Sequence, residues 1–328
     1  MDVTALTFSE FGAPLDVLKV ERMVLPEPQP NQVVVRMQAA PINPADINLI
    51  EGTYGVRPDL PCVAGTEGVG TVSKAGVAVS GLRRGDQVVM TRRMGSWCEA
   101  YLCEAGEVYP IPPGLPVEQA AMLAVNPPTA WCLLGDFVNL RAGDWIIQNA
   151  ANSAVGRCVI QLASHRGIRT VNIVRRPEVV DELREIGADV VIVHEGDLRE
   201  QVRAQTGGAP LSIGLNATGG IILKDMVKCL ADAGTLVTYG AMARQPFTLS
   251  NAHLIFRDIR VRGFWVRHHY RTANAVQLNE MFTELCSLVK RGALKIPVEK
   301  TYPLFEGRQA LEAAMRDQRA GKVVFTMG

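Results

Sequence analysis

The pattern of apolar and polar positions divides the chain into two textures. From about residue 117, short runs that are apolar on both faces recur about 20 to 30 residues apart, with amphipathic segments between them. The runs read DWIIQ, RTVNIV, DVVIV, LSIGLN, GTLVTYG and IRVRGFWV. Buried strands that alternate with helices are typical of a parallel sheet covered on both faces. The pattern therefore predicts a doubly wound α/β domain.

The two ends of the chain have a different pattern. Residues 1 to about 115 hold short strand-like runs broken by turns rich in Gly and Pro, which indicates an irregular, barrel-like β domain. After a helix predicted over residues 272–291, the runs IPVEKTYPLFE and GKVVFTM return to this texture. We predict that a nucleotide-binding domain of residues 121–292 is inserted into a β-rich domain of residues 1–120 and 293–328.

The turn after the first buried strand, NAANSAVG, contains a single glycine. A helix is expected to begin near Asn152 and Ser153, which are good N-caps, and a helix N-terminus offers free N–H groups to a pyrophosphate. Gly156 stands where the third glycine of G-x-G-x-x-G permits close packing, and Ala150 and Ala154 replace the earlier glycines. The turn predicts a dinucleotide site, with a plain strand-to-helix corner as the alternative.

The end of the second strand predicts which dinucleotide is bound. Arg175 and Arg176 follow Val174, and no acidic residue stands there. An NAD site places a carboxylate at this point for the ribose 2′-hydroxyl, whereas an NADP site prefers arginine for the 2′-phosphate. We therefore predict NADPH. The alternative is that both arginines are solvated residues that open the next helix.

Composition excludes several other classes of protein. The formal net charge of +1, without a basic stripe, argues against a nucleic-acid partner. No apolar run reaches the roughly 18 residues of a membrane span, and no G-x-S-x-G motif of a hydrolase is present. The first residues show no leader pattern, so we expect a cytoplasmic protein, or a mitochondrial-matrix one if this is a mature eukaryotic form.

The order of these domains resembles the medium-chain dehydrogenase/reductase superfamily, which joins a GroES-like catalytic domain to a Rossmann domain. Many members hold a catalytic zinc through a Cys, the His of a G-H-E triplet and a later Cys. Asn43 and Thr66 stand at the first two of these positions, and the four-cysteine structural lobe is absent. Because the sulfur and imidazole donors that zinc requires are missing, we expect no metal at either site.

Longer motifs resemble the mitochondrial-type 2-enoyl thioester reductases. They are INPADINLIEGTYG, LPCVAGTEGVG, AVNPPTAW, IIQNAANSAVG, LVTYGAMARQP, LIFRDIRVRGFW and GKVVFTM. The resemblance implies NADPH-dependent reduction of the trans-2 double bond of an enoyl-CoA or an enoyl-acyl-carrier protein, in fatty-acid metabolism. The Asn-Ala-Ala-Asn-Ser turn separates the chain from quinone oxidoreductases, whose turn is typically alanine and glycine.

The same resemblance assigns roles to individual residues. Tyr54 matches the proton-donating tyrosine, and Asn43, Tyr54 and Trp265 are expected in the substrate pocket. Phe264, Trp265 and Val266 match a strand beside the nicotinamide. The expected cofactor-binding residues are Asn126, Thr129, Asn152, Ser153, Ala154, Val155, Gly156, Arg175, Arg176, Tyr239, Gly240, Ala241, Met242, Phe264, Trp265, Val266 and Lys322.

The chemistry of enoyl reduction agrees with a tyrosine donor. After hydride adds to the β-carbon, negative charge develops on the thioester oxygen, and a proton must reach the α-carbon. The donor should be neutral at pH 7, and a tyrosine hydroxyl with a pKa near 10 meets that condition. The alternative is that Tyr54 only lines the cleft and that water donates the proton.

Further expectations concern assembly, surface loops and alternative functions. By analogy with the superfamily, the strand RVRGFWV pairs across a two-fold axis and forms a homodimer. His268, His269 and Tyr270 are interpreted as a solvated basic loop, as are Arg92 and Arg93. The alternative functions are an NADPH:quinone or small-enone reductase, and a non-catalytic NADPH-binding protein that senses redox state or binds RNA.

Overall fold

A computed structural model describes residues 1–92 and 94–327. Arg93, which was predicted to lie in a solvated loop, is outside the described residues. The described residues divide into two compact units, one that comprises the chain up to residue 125 and from residue 270 onward, and one of residues 126–269.

Strands and helices alternate along both units. The strands are β1 (Asp2–Phe8), β2 (Lys19–Val24), β3 (Gln32–Pro41), β4 (Cys62–Val63), β5 (Val69–Ala75), β6 (Gln87–Met90), β7 (Ala100–Glu104), β8 (Val108–Pro110), β9 (Trp145–Gln148), β10 (Arg169–Val174), β11 (Val190–Val193), β12 (Leu211–Asn216), β13 (Thr235–Thr238), β14 (Arg260–Gly263), β15 (Val298–Pro303) and β16 (Lys322–Thr326). The α-helices are α1 (Pro14–Val17), α2 (Pro44–Ile50), α3 (Val117–Ala121), α4 (Asn126–Gly135), α5 (Ala154–His165), α6 (Val180–Glu185), α7 (Leu198–Thr206), α8 (Ile222–Cys229), α9 (Asn251–Arg257), α10 (Val266–Thr272), α11 (Ala275–Lys290) and α12 (Gly307–Met315).

The first unit is the β-rich domain that the sequence predicts. Its larger sheet has the order β15-β16-β3-β5-β6-β8, with β7 pairing on β3, and a smaller sheet has the order β2-β1-β4. The last strand of the chain, β16, pairs with β3, so the two ends of the sequence form one sheet. Buried Trp97 and Phe325, whose rings are 5.1 Å apart, join both parts of the sequence in one core.

The second unit confirms the predicted doubly wound domain. Its sheet has the order β11-β10-β9-β12-β13-β14, and all its strand pairs are parallel. Each strand corresponds to one of the six apolar runs in the sequence. The direction in which the sheet is built reverses between β9 and β12, and at such a point the loops at the carboxyl ends of the strands diverge into a crevice.

The division between the units differs from the predicted boundaries of 120/121 and 292/293. Helix α11 lies within the predicted nucleotide-binding domain, but it packs on the first unit. Its Phe282 is stacked on Tyr109 at 4.2 Å between ring centroids and on Tyr270 at 6.3 Å. The pattern of an amphipathic helix shows which face is buried but not which part of the protein covers that face. The sequence pattern therefore assigned this helix to a domain only by its place in the chain.

The last run of the second unit is shorter than predicted. Strand β14 ends at Gly263, and Val266 already belongs to α10. Phe264 and Trp265, which were predicted to lie in a strand, therefore form the connection between β14 and α10, and Val266 begins the helix.

No helix in the described residues combines the length and apolar character that crossing a bilayer needs.

Candidate active site

The turn that follows β9 has the conformation of a helix-terminal anion site. Ala150 adopts a positive φ of 47°, a conformation that small residues tolerate better than bulky ones. Ser153 is the N-cap of α5, and its Oγ accepts a hydrogen bond from the Gly156 N–H at 3.1 Å. The first turn of α5 therefore presents backbone N–H groups and the positive end of the helix dipole.

Position 156 requires a residue without a side chain because neighbouring atoms are very close. These atoms are not the ones that were expected. A Cβ on this residue would lie 2.5 Å from the Ala151 carbonyl oxygen and 2.7 Å from that of Ala150. The Gln148 side chain also donates to the Gly156 carbonyl at 3.0 Å. The missing side chain thus lets the first turn of α5 fold against its own loop.

The side chain of Arg157 is bonded to the same turn, and this residue was not predicted from the sequence. Its guanidinium donates to the Asn152 carbonyl at 3.1 Å and forms an ion pair with Glu182 at 2.7 Å. The Arg157 side chain is 6% exposed, so it is committed to the fold and is not available to a ligand. Its position within an apolar helix face, next to the glycine of the turn, was the available signal.

Asn149 connects the turn after β9 with the loop after β12. Its Oδ1 accepts the Ala217 N–H at 2.7 Å, and its Nδ2 donates to Asn216 Oδ1 at 2.7 Å and to Thr218 Oγ1 at 2.9 Å. The residue is buried. It therefore fixes both walls of the crevice where the sheet order reverses.

Arg175 and Arg176 lie at the carboxyl end of β10, as predicted. Within the described residues neither side chain makes a hydrogen bond or an ion pair; Arg175 is exposed and Arg176 is half-buried. The turn after β9 is bonded to this strand, because the Ala151 N–H donates to the Ile173 carbonyl at 3.3 Å. Two guanidinium groups are thus available at the sheet edge that carries the candidate phosphate-binding turn.

The predicted segment of residues 239–242 follows β13 at the same edge. The Tyr239 N–H donates to the Asn216 carbonyl at 3.0 Å, and a Cβ on Gly240 would lie 2.5 Å from the Ala217 carbonyl oxygen. Burial raises the pKa of the Tyr239 hydroxyl well above its ordinary value, and the neighbouring Ser153 acts in the opposite direction. Ala241 and Met242 follow, and the Met242 side chain is exposed.

Phe264 and Trp265 extend this row of loops to β14. The Phe264 N–H donates to the Thr238 carbonyl at 3.0 Å, so the residue lies directly beyond the strand end. Asn126 and Thr129 are buried in the first turns of α4. The predicted cofactor residues after β9, β10, β13 and β14 are therefore brought to one edge of the sheet, where the doubly wound fold binds dinucleotides.

In the first unit, Asn43 and Lys322 meet in a buried polar network. Asn43 Nδ2 donates to Glu67 Oε1 at 2.7 Å, and the Asn43 N–H donates to Asp46 Oδ2 at 2.6 Å. The Lys322 ammonium donates to Asn43 Oδ1 and to the Ile42 carbonyl. An amide and an ammonium thus occupy the surroundings of the zinc-ligand positions.

The two carboxyl groups of this network are perturbed by burial. Desolvation raises the pKa of Glu67 to about 7 and that of Asp46 to about 6, while hydrogen bonds and Lys322 act in the opposite direction. Neither acid was predicted as a site residue. With an amide at residue 43 and a hydroxyl at residue 66, the donor set does not fit the thiolate and imidazole ligands of catalytic zinc.

Tyr54 follows α2 and is held by both backbone and side-chain contacts. Its N–H donates to the Asn48 carbonyl at 3.1 Å, and its half-buried ring packs against the apolar cluster that contains Leu49, Ile50 and Phe325. The loop therefore presents the tyrosine from a defined position. Asn43 is the N-cap residue of the helix that precedes it, and the Asn43 backbone N–H donates to Asp46 Oδ2.

Residues 268–270 do not form the solvated basic loop that was predicted. They lie in α10, and Tyr270 is 1% exposed, with its hydroxyl donating to the Ala124 carbonyl at 2.8 Å. His269 is half-buried, and only His268 is exposed. The apolar residues Val266 and Tyr270 are four positions apart, which is the helical spacing that the basic residues between them obscured. Arg92 is exposed, and its guanidinium donates to the Tyr270 carbonyl at 3.0 Å.

Two family models match most of the chain, one in each part of the fold. The model of the alcohol dehydrogenase GroES-like domain matches residues 29–113, and that of the zinc-binding dehydrogenases matches residues 154–281. These matches and the fold define a medium-chain dehydrogenase/reductase. The mitochondrial enoyl-[acyl-carrier-protein] reductase of Rattus norvegicus is 40% identical over 99% of this chain and 89% of its own. The chain therefore belongs to the enoyl-[acyl-carrier-protein] reductase family, which confirms the predicted resemblance.

Solved structures with the same fold cover 99% of the chain. A putative NADPH:quinone reductase from Bacillus thuringiensis has a TM-score of 0.92 at 30% identity, over 99% of that chain. The mitochondrial 2-enoyl thioester reductase Etr1p/Etr2p heterodimer from Candida tropicalis has a TM-score of 0.89 at 27% identity, over 100% of that chain. A complex of Etr1p with NADP and crotonyl-CoA has a TM-score of 0.88 at 27% identity, over 100% of that chain.

Proposed function

We propose that this protein is an NADPH-dependent 2-enoyl thioester reductase. It reduces the trans-2 double bond of an enoyl-CoA or enoyl-acyl-carrier protein, with hydride added to the β-carbon and a proton to the α-carbon, in fatty-acid metabolism. The observation that carries the proposal is family membership along the whole chain, at 40% identity to the rat enoyl-[acyl-carrier-protein] reductase. The Candida tropicalis enzyme of the same fold is itself named a 2-enoyl thioester reductase.

The second unit has the features that an NADPH site needs. Ser153 and Gly156 shape the turn for the pyrophosphate, and Arg175 and Arg176 are available for the 2′-phosphate. The bound cofactor supplies the hydride. The related Etr1p forms a complex with NADP and crotonyl-CoA, which supports the same pairing of cofactor and substrate class here.

Residues of the first unit provide the proton and the polar surroundings. Tyr54 donates the proton to the α-carbon, because a phenol is the kind of neutral proton donor that the step needs and because the Tyr54 loop is fixed on α2 and the adjacent apolar core. Asn43 shapes the substrate pocket, and its amide is oriented by Glu67 and Lys322. Lys322 contributes a buried positive charge without a metal ion.

Oligomeric state and location extend this proposal. Strand β14 is the edge of its sheet and is exposed along its length, as are Ile255 and Phe256 of α9, which favours pairing in a homodimer. Light scattering of a Val261→Lys variant should then show a loss of dimer, and an unchanged mass would contradict the pairing. The place of action stays a prediction, either the cytoplasm or the mitochondrial matrix, where the name of the rat relative places that protein.

A second candidate function is NADPH:quinone or small-enone reduction. The putative NADPH:quinone reductase from Bacillus thuringiensis, with its TM-score of 0.92, favours this alternative. Both reactions use the same cofactor and scaffold, so the substrate distinguishes them. Cofactor binding without turnover of any enone would instead favour the non-catalytic alternative.

The decisive experiment follows NADPH oxidation with crotonyl-CoA, a longer enoyl-CoA and a benzoquinone. Wild type and Tyr54→Phe are compared, with Tyr109→Phe as a tyrosine control remote in sequence from the α2 loop. Enoyl-CoA turnover that falls in Tyr54→Phe alone supports both the reaction and the donor. If Tyr54→Phe still turns over enoyl-CoA, the proposed reaction stands and water is the proton donor. If the protein turns over only the quinone, the proposal is overturned.

A further inference from the structure

A thiol, a carboxylate and an imidazole meet in the second unit, and none of them belongs to the predicted cofactor or catalytic residues. One ligand atom from each of Cys132, Asp136 and His269 lies within 4.8 Å of the other two. His269 Nδ1 and Asp136 Oδ2 are 3.7 Å apart. We propose that these three side chains form a binding site for a transition-metal ion of the Zn²⁺ type, separate from the zinc positions of the dehydrogenase class.

Two of the ligands are placed by the end of α4. Cys132 and Asp136 are four residues apart, so they project from one helix face, and the Asp136 N–H donates to the Cys132 carbonyl at 2.8 Å. Both lie at the carboxyl end of the helix, where the macrodipole favours positive charge. The backbone therefore orients this pair before any ion is bound.

The third ligand comes from α10, where His269 Nδ1 lies beside Asp136 Oδ2. His269 is half-buried, with its ring 6.5 Å from that of Phe264. An imidazole coordinates a transition metal through the electron pair of its neutral form, so His269 can supply one nitrogen ligand.

The donor set selects the class of ion. Thiolate, imidazole and carboxylate together suit Zn²⁺ and its analogue Co²⁺, whereas Mg²⁺ and Ca²⁺ prefer oxygen ligands alone. In a tetrahedral zinc site neighbouring ligand atoms are about 3.3–3.7 Å apart, so the ligand atoms of the present cluster need to approach one another by at most about 1.5 Å. Three protein ligands leave one position, which water can fill because Asp136 is exposed.

Binding of the ion must remove one proton from the site. Burial and the adjacent Asp136 raise the pKa of the Cys132 thiol far above its ordinary value, with Arg166 acting in the opposite direction. The metal–sulfur bond therefore forms as the thiol proton leaves to solvent. The Cys132 thiolate and the Asp136 carboxylate together then balance the two positive charges of the ion.

The test uses Co²⁺ as a spectroscopic probe of the full-length protein after treatment with a chelator and dialysis. Thiolate-to-cobalt charge transfer and intense visible bands report a tetrahedral site that contains sulfur. The ligand variants are Cys132→Ala and His269→Asn. The matched controls are Cys286→Ala, another buried thiol, and His268→Asn, the neighbouring residue on the same helix.

We expect the wild-type protein to bind one Co²⁺ ion that Zn²⁺ displaces. The charge-transfer band should be lost in Cys132→Ala and kept in both controls. Loss of an outer-shell partner alone weakens metal binding roughly 10- to 100-fold. The His269→Asn variant, which loses a ligand, should therefore bind Co²⁺ more weakly by at least that factor. A wild-type protein without the band, or a band that survives in Cys132→Ala, overturns the proposal. If Cys132→Ala does not fold, His269→Asn against His268→Asn decides it.

Discussion

The side-chain carbonyl of Asn149 accepts the backbone N–H of Ala217 at 2.7 Å, and this bond joins two loops that leave the sheet on either side of the reversal between β9 and β12. The amide nitrogen of the same side chain donates to Asn216 and Thr218, so one buried residue satisfies three polar groups of the second loop. Asn149 thus acts as a positioning residue for the crevice in which the cofactor is proposed to bind.

Replacing Asn149 with Leu should weaken NADPH binding more than it changes the chemical step. The substitution leaves the buried Ala217 N–H without its acceptor, which costs about 1–3 kcal/mol and lets the loop move. We expect a higher KM for NADPH with a smaller change in kcat, measured by steady-state kinetics. Thr218→Ala, which removes one bond of the three, should have a milder effect. An Asn149→Leu variant that is less stable but has an unchanged KM would show that the residue is structural only.

Gly156→Ala tests whether the turn after β9 needs its close contact. The added Cβ would approach two loop carbonyl oxygens to within 2.5 and 2.7 Å, so the backbone must shift. We expect a loss of about 1–3 kcal/mol in the free energy of unfolding and a clear loss of NADPH affinity. Gly135→Ala is the matched control, because a Cβ added there, at the end of α4, would meet nothing within 4 Å. Equal affinities in the two variants would remove the turn from the binding site.

The strands and the conformation of the turn after β9 could be predicted because their signals are local. Six apolar runs became six parallel strands, and the single glycine of the turn, Gly156, is where the backbone admits no side chain. The Arg175 and Arg176 pair could likewise be recognised from its place after a strand. In each case residues close together in the sequence carry the whole pattern.

The buried network of the first unit could not be predicted in the same way. Glu67 is bonded to Asn43, 24 residues away, and Asn43 to Lys322, 279 residues away. From the sequence alone, an acidic residue within a run of small residues is read as part of a solvent-exposed turn. Its buried position becomes evident only when its hydrogen-bond partner, which is distant in the sequence, is known. Helix α10 was missed for a different reason, since the basic residues between Val266 and Tyr270 hid two positions on one helix face.

Substitution of the arginines after β10 should change the preference between NADPH and NADH. A charged hydrogen bond to the 2′-phosphate contributes about 1.5–3 kcal/mol, so Arg175→Ala or Arg176→Ala should raise the KM for NADPH by roughly 10- to 100-fold. The KM for NADH should not change, because NADH lacks the 2′-phosphate. The variant with the larger effect identifies the phosphate ligand, and the double variant should have the largest.

Arg169→Ala provides the control on the same strand. Arg169 lies at the opposite end of β10, with its guanidinium 5.5 Å from the centre of the Trp145 ring. We expect the ratio of the two KM values to stay at the wild-type value. If Arg175→Ala and Arg176→Ala also leave that ratio unchanged, the arginines are solvated residues and the cofactor preference arises elsewhere.

The carboxyl groups beside Asn43 make a specific contribution to the pH dependence of stability. Their pKa values are raised by burial, from 4.5 to about 7 for Glu67 and from 3.8 to about 6 for Asp46. A folded state that holds these protons more tightly than the unfolded state is stabilised below the unfolded pKa values. This contribution is lost as the pH rises through the folded values.

Glu67→Gln should therefore flatten the stability profile between about pH 4.5 and pH 7, because an amide does not ionise in that range. Urea unfolding across the range should show that the wild type loses stability with rising pH and that the variant loses less. Lys322→Met should have the opposite effect, since the ammonium lowers the pKa values of both carboxyl groups and its removal makes their ionisation in the folded state more costly. Parallel profiles for wild type and Glu67→Gln would mean that Glu67 keeps the same protonation in the folded and unfolded states, contrary to its burial against Asn43.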